Sequence, residues 1–165
     1  MELRVVRGDI TVQPVDAIVT AANSALRGGG GVDGAVHAAA GPELLEACRV
    51  LAPCAAGSAV VTPAFALSPI KWVIHAVGPV YQGPADADTL ASAYVSSLMC
   101  ADQVGARSVA FPAISTGVYG YPKVEAAEVS VAALRQASTA VQDVVLVAFG
   151  HQDAEHWERA LGHQA

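Results

Sequence analysis

Positive charge is scarce in this sequence: nine lysines and arginines stand against fifteen aspartates and glutamates, a net charge of −6. A duplex-binding protein is expected to carry a basic stripe, and none is visible, so strong electrostatic affinity for nucleic acid is not expected. The same scarcity means that an anionic ligand must be held mainly by backbone N–H groups and helix N-termini. Long apolar runs are missing too. The stretch Ala55 to Leu67 is broken by Gly57, Ser58, Thr62 and Pro63, and nothing approaches the ~20 residues of a membrane helix. Met1-Glu2-Leu3-Arg4 lacks the basic-then-apolar pattern of a signal peptide, which predicts a cytoplasmic protein without membrane association. Cysteines number only three, Cys48, Cys54 and Cys100. An odd count without an export signal predicts reduced, mostly buried thiols. Charged residues make up 15% of the chain, too few for long disordered tails.

Apolar residues, by contrast, make up 53% of the 165 residues. That is enough for one well-cored domain over residues 1–165, burying roughly 70% of its unfolded surface. Strand-like and helix-like runs alternate along it. Glu2 to Val6, Val15 to Ala21, Ser58 to Phe65, Trp72 to Val77, Ser108 to Phe111 and Asp143 to Phe149 read as strands. Val32 to Ala40 reads as a helix, broken at Gly41-Pro42, where proline opens another. Asp86 to Val104 places Leu90, Tyr94, Leu98 and Ala101 on one helical face. Pro122 opens a helix lined by Val124, Ala127, Val131 and Leu134, and Asp153 is expected to cap a last helix carrying Trp157 and Leu161. The alternation predicts helices on both faces of a mixed, largely parallel sheet.

Two glycine-containing loops fall between a strand and a helix. One, Gly28-Gly29-Gly30-Gly31, follows Ala17-Ile18-Val19. The other, Ser115-Thr116-Gly117-Val118-Tyr119-Gly120, follows Ser108 to Phe111. Consecutive glycines weaken any helix or strand, but ahead of a helix they let backbone amides cradle an anion. In open α/β sheets ligands bind at the carboxyl ends of strands, so both loops belong to one edge and can grip a pyrophosphate from two sides. Neither matches the lysine-containing phosphate loop or the spaced dinucleotide fingerprint, which excludes a standard ATPase or NAD-binding domain. Asp33 and His37 lie four apart and share a helix face. A first-turn carboxylate complements the helix dipole without any further role. Beside a phosphate-type loop, an upstream Asn23 and a same-face His37, a catalytic reading carries equal weight.

Asp9-Ile10-Thr11, Val15-Asp16-Ala17-Ile18-Val19, Ala21-Ala22-Asn23 and the run Gly28 to Gly34 resemble the macrodomain family. They are most similar to its MacroD-type branch of ADP-ribosyl hydrolases and O-acetyl-ADP-ribose deacetylases. The likeness continues through His37, Ala39 to Leu44, Val73-Ile74-His75, Val77-Gly78-Pro79 and Pro112 to Pro122, in order over nearly the whole chain. The resemblance implies a three-layer α/β/α sandwich with ADP-ribose across the sheet edge. It places Asp9 against the adenine amino group, the Ile10 backbone beside it, and Phe149 against the ring. Gly30, Gly31 and Val32 contact the diphosphate from one side, and Ser115, Thr116, Gly117 and Val118 from the other. Asn23 binds a distal-ribose hydroxyl, Tyr119 covers that sugar, and Asp33, supported by His37, is the catalytic carboxylate. One position departs: the family pattern has a second asparagine where this chain has Thr20. That outer group is expected to brace the loop, and threonine keeps a hydroxyl but no amide donors.

The implied reaction is hydrolysis of an ester on the distal ribose, either an acetyl group or a protein Asp/Glu side chain. The ligands are then ADP-ribose, O-acetyl-ADP-ribose and ADP-ribosylated proteins, with nucleic acid recognised only through attached ADP-ribose. The alternatives are a non-catalytic ADP-ribose reader and a hydrolase of ADP-ribosylated nucleic-acid ends. Asp33 favours the enzyme, because many readers in the superfamily lack a carboxylate there. Cys48 and Cys54 fit no standard zinc spacing, so no metal and no cofactor are expected. His75 reads as a satisfied interior or edge residue, and His151, His156 and His163 as surface or capping groups. Trp72 and Trp157 read as packing aromatics, and Lys123 and Glu125 as solvated.

Overall fold

The computed structural model describes residues 1–163. Six strands form one sheet: β1 (Glu2–Arg7), β2 (Ala17–Ala21), β3 (Ala59–Pro63), β4 (Trp72–Ala76), β5 (Ser108–Phe111) and β6 (Asp143–Ala148). Their spatial order is β1-β6-β5-β2-β4-β3, and every pairing is parallel except β3 with β4. Five α-helices cover it among the described residues: α1 (Gly31–Ala40), α2 (Pro42–Leu51), α3 (Ala87–Gln103), α4 (Lys123–Gln136) and α5 (His151–His163).

Strand side chains alternate between faces, and the alternation sorts the core into two halves. Ala17 and Val19 of β2 and Val144 and Leu146 of β6 pack with Leu90, Tyr94, Val131 and Trp157 on the α3/α4/α5 side. Ile18 of β2 and Val145 and Val147 of β6 pack with Val36, Ala40 and Leu44 on the α1/α2 side. The result is the three-layer α/β/α sandwich with a mixed, largely parallel sheet expected from the sequence.

Central β2 is buried along almost its whole length, as a strand covered on both faces must be. Helix α1 stops at Gly41, whose φ of 92° suits glycine, and Pro42 opens α2 at once. Asp153 departs from expectation. It lies inside the first turn of α5 rather than capping it, and its carboxylate sits 3.5 Å from Lys123 Nζ. All three cysteines are free and buried, as the composition indicated. No helix is long and apolar enough to cross a membrane among the described residues.

Candidate active site

Strands β2 and β5 are parallel neighbours, so the loops leaving their carboxyl ends lie side by side at one sheet edge. The first loop runs from Ala22 to Gly30 into α1. Asn23 closes it: its amide Nδ2 donates to the Gly28 carbonyl at 2.9 Å, and its Oδ1 accepts from the Arg27 N–H at 3.3 Å. Gly34, one turn into α1, lets the loop press against the helix, because a Cβ there would stand 2.5 Å from the Gly29 carbonyl oxygen. The second loop is pinned from beneath. Ser115 Oγ donates to the Pro79 carbonyl at 2.8 Å, Thr116 Oγ1 to the Ala113 carbonyl at 3.0 Å, and the Tyr81 N–H to the Tyr119 carbonyl at 2.9 Å.

Asp33 sits in the first turn of α1 and is 4% exposed. Thr20 Oγ1 donates to its Oδ1 at 2.9 Å, and His37 Nε2 stands 3.5 Å from that same oxygen. The other oxygen, Oδ2, has no hydrogen-bond partner among the described residues, yet it is not sealed from solvent. Burial raises the Asp33 pKa above the ordinary carboxylate value, opposed by the Thr20 hydrogen bond and by the His37 charge. The carboxylate is therefore held by one oxygen and presented by the other.

Thr20 does not take over the loop-bracing role that the resemblance gives to an asparagine there; Asn23 closes the loop, and the Thr20 hydroxyl reaches Asp33 instead. The reason is strand periodicity. Thr20 shares the α1/α2 face of β2 with Ile18, directly under α1.

Behind this pair lies a second polar layer that the sequence reading did not join to the site. His75 of β4 is in register with Thr20. It shares a hydrogen bond with Thr62 Oγ1 at 3.0 Å and lies 3.7 Å from Cys48 Sγ by either ring nitrogen. Burial, reinforced by the nearby His37, pushes its pKa down to about 4. Burial, reinforced by the Asp33 charge, pushes the Cys48 thiol up to about 11. The donor atoms of His37, Cys48 and His75 fall within 4.8 Å of one another, a proximity that chain spacing conceals. The sulfur is equidistant from both nitrogens of His75, so neither lone pair is aimed at it, and Thr62 occupies Nε2. The arrangement is a hydrogen-bonded stack rather than an open ligand set.

Asp9 and Phe149, expected beside an adenine, stand at the ends of neighbouring parallel strands. Asp9 caps the 3-10 turn Ile10–Val12, its Oδ1 accepting from the Thr11 N–H at 2.9 Å and the Thr11 hydroxyl at 2.7 Å. These bonds lower its pKa, so it is ionised and its second oxygen is free to accept. Phe149, just past β6, is 92% exposed, and Val118 is fully exposed. Two large apolar side chains held in water at the loop edge are what a ligand's covering surface would bury. Gly30 caps α1, and Gly31 and Val32 begin it, immediately ahead of Asp33.

An α/β/α layered protein with two glycine loops meeting beside a buried carboxylate is, by fold and site, one that binds an anionic ligand at the carboxyl edge of its sheet. The chain belongs to the macro domain family, whose model matches residues 19–130. It is 51% identical over 161 residues to a macro domain-containing protein of Ralstonia nicotianae, covering 96% of this chain and 94% of that one. It is 50% identical over 169 residues to the O-acetyl-ADP-ribose deacetylase of an Enterobacter species, covering 97% and 93%. Among solved structures, a variant of the Oceanobacillus iheyensis macrodomain with ADPR bound superposes with a TM-score of 0.93 at 39% identity, covering 98% of this chain and 92% of that one. A Trypanosoma brucei macrodomain in complex with ADP-ribose gives 0.89 at 36% identity, covering 97% and 69%.

Proposed function

We propose that this chain, as a single macro domain over residues 1–165, is an ADP-ribose-binding hydrolase that removes the acetyl group from O-acetyl-ADP-ribose. The observation that carries the reading is Asp33: a buried carboxylate whose Oδ1 is taken by Thr20 and His37 and whose Oδ2 is open. Relatives near 50% identity over almost the full chain bear the name O-acetyl-ADP-ribose deacetylase, and structural neighbours hold ADP-ribose.

The ligand lies across the sheet edge with adenine between Asp9 and Phe149 and with the Ile10 backbone beside it. Its diphosphate sits on the N–H groups of Gly30, Gly31 and Val32 from one side and of Ser115, Thr116, Gly117 and Val118 from the other. Asn23 has a second amide hydrogen beyond the one given to Gly28, and it donates to a distal-ribose hydroxyl. Tyr119 covers that sugar. A water between Asp33 Oδ2 and the ester attacks the acyl carbonyl carbon; its proton passes to Oδ2 and then to the departing ribose oxygen. Acetate and ADP-ribose result. The raised pKa makes Asp33 a better base than an exposed aspartate, and such assistance contributes about 10²–10⁴-fold.

The same step cleaves an ADP-ribose ester on a protein Asp or Glu side chain, and ADP-ribosylated nucleic-acid ends are bound through the ADP-ribose alone. Replacing Asp33 with Ala is expected to lower deacetylation at least 100-fold while ADP-ribose still binds by calorimetry. Undiminished turnover in that variant rejects the assignment, and an unmodified protein that binds ADP-ribose without releasing acetate is a reader. A panel of acetyl-, Glu-, Ser- and Arg-linked ADP-ribose orders the substrates.

A further inference from the structure

We propose that Thr20 is a positioning residue for Asp33: its hydroxyl anchors the carboxylate to the sheet so that Oδ1 faces inward and Oδ2 faces the bound ester. The proposal rests on the hydrolytic role given above to Asp33, but the anchoring itself can be measured without turnover.

Thr20 is 0% exposed, and its Oγ1 lies 2.9 Å from Asp33 Oδ1. A threonine hydroxyl has one hydrogen, and here it goes to the carboxylate. Threonine is stiff about χ1, and β2 is hydrogen-bonded on both sides, to β4 and β5. The donor is therefore held by a central strand, in register with His75 of β4. His37, the other group at Oδ1, sits farther away at 3.5 Å and is carried by the same helix as Asp33, so it moves with its partner.

The groups facing Asp33 are few. Thr20 comes from β2, His37 from α1 and Cys48 from α2, with His75 of β4 behind His37 and bonded to Thr62 of β3. His75 stays neutral above about pH 4 and the Cys48 thiol stays protonated below about pH 11. Between those limits Thr20 supplies the one short hydrogen bond to the ionised form. Removing it frees the carboxylate to rotate and makes ionisation harder, because the hydrogen bond favours the charged form.

The experiment compares the full chain with Thr20→Val, Thr20→Ala and Thr20→Ser. Three quantities are measured: hydrolysis of O-acetyl-ADP-ribose against pH, ADP-ribose affinity by calorimetry, and the titration of the Asp33 carboxyl by carbon-13 NMR. In the Val and Ala variants kcat at pH 7 is expected to fall about tenfold with affinity held within about twofold. The acidic limb of the rate profile and the NMR midpoint are both expected to move upward by about one pH unit, the size of losing one hydrogen bond to a charged group. Thr20→Ser is expected to restore both. The Ala variant adds no methyl beside the carboxylate and serves if the Val variant does not fold. A Val or Ala variant whose limb and midpoint stay in place overturns the proposal, whether or not its rate falls. If the unmodified protein shows no hydrolysis, the functional reading fails and the NMR midpoint alone decides the role of Thr20: an upward move supports it and an unmoved one overturns it.

Discussion

Asp33 is held ready at a cost to the fold. Its pKa is raised chiefly by burial, so the native protein binds that proton more tightly than the unfolded chain does. The contribution to stability then falls as pH climbs from the ordinary carboxylate value of ~3.9 through the raised one, and the loss persists at neutral pH. Asn in its place keeps an oxygen to accept from Thr20 and carries no charge. Asp33→Asn is therefore expected to melt above the unmodified protein at pH 7, with the gap closing below about pH 4. In a chain of this size each kcal/mol recovered is worth roughly 2–4 °C. Calorimetric melts across that range check it, and a variant that melts lower at pH 7 rejects the assignment of a strained carboxylate. The residue proposed to react and the residue destabilised by burial are then the same one, a trade common at functional sites.

At the scale of elements, the site depends on two loops being shaped from below. Tyr94 of α3 spans the second one: its hydroxyl donates to the Pro112 carbonyl at 3.2 Å and accepts from the Ile114 N–H at 3.1 Å. Just beyond, Ser115 is held at a φ of 68°, a conformation that L residues adopt at a cost of roughly 1–2 kcal/mol. Gly78, which follows β4, makes room for that turn, because a Cβ there would collide with Ser115 Oγ and the Ile114 side chain. Gly78→Ala is expected to displace the loop, weakening ADP-ribose binding at least tenfold and costing about 1–3 kcal/mol of stability. Titration calorimetry and urea unfolding read the two effects, and unchanged affinity rules out Gly78 as a spacer for the loop. These loops were legible in the sequence because glycine clusters, strand ends and helix starts are local signals. Strand and helix positions followed for the same reason, mostly within a residue or two. The contacts made through the sheet were less legible. In the sequence Thr20 is marked only by its departure from a pattern, although alternation already puts it on the same face of the strand as Ile18. Cys48 and His75 are 27 residues apart and meet only because the fold brings α2 to the sheet face that His75 occupies. Asp153 reads as a cap by residue type, but α5 begins at His151, so the carboxylate lies in the first turn, where it complements the helix dipole and faces Lys123.

Across the whole molecule, the α1/α2 face of the sheet carries a polar seam through an otherwise apolar layer: Thr20 on β2, His75 on β4 and Thr62 on β3, roofed by Asp33, His37 and Cys48. His75 makes the seam sensitive to acid. Its pKa is pushed down to about 4 from an ordinary value of 6.5, so between those values the unfolded chain takes up a proton that the native protein refuses. Stability contributed by the neutral ring is complete above pH 6.5 and is lost as pH falls toward 4, by up to about 1.4 kcal/mol per pH unit. Asp33 acts in the opposite direction over part of the same range, so the two are best separated in an Asp33→Asn background. There, urea unfolding at pH 7 and pH 5 is expected to lose about 1–2 kcal/mol with His75 present and distinctly less with His75→Asn. Equal losses in the two proteins would reject His75 as the origin of the acid sensitivity. A difference confined to the His75 protein would tie the acid limit of the fold to the layer that supports Asp33, so that one polar seam would carry both the proposed chemistry and the acid sensitivity of the sheet.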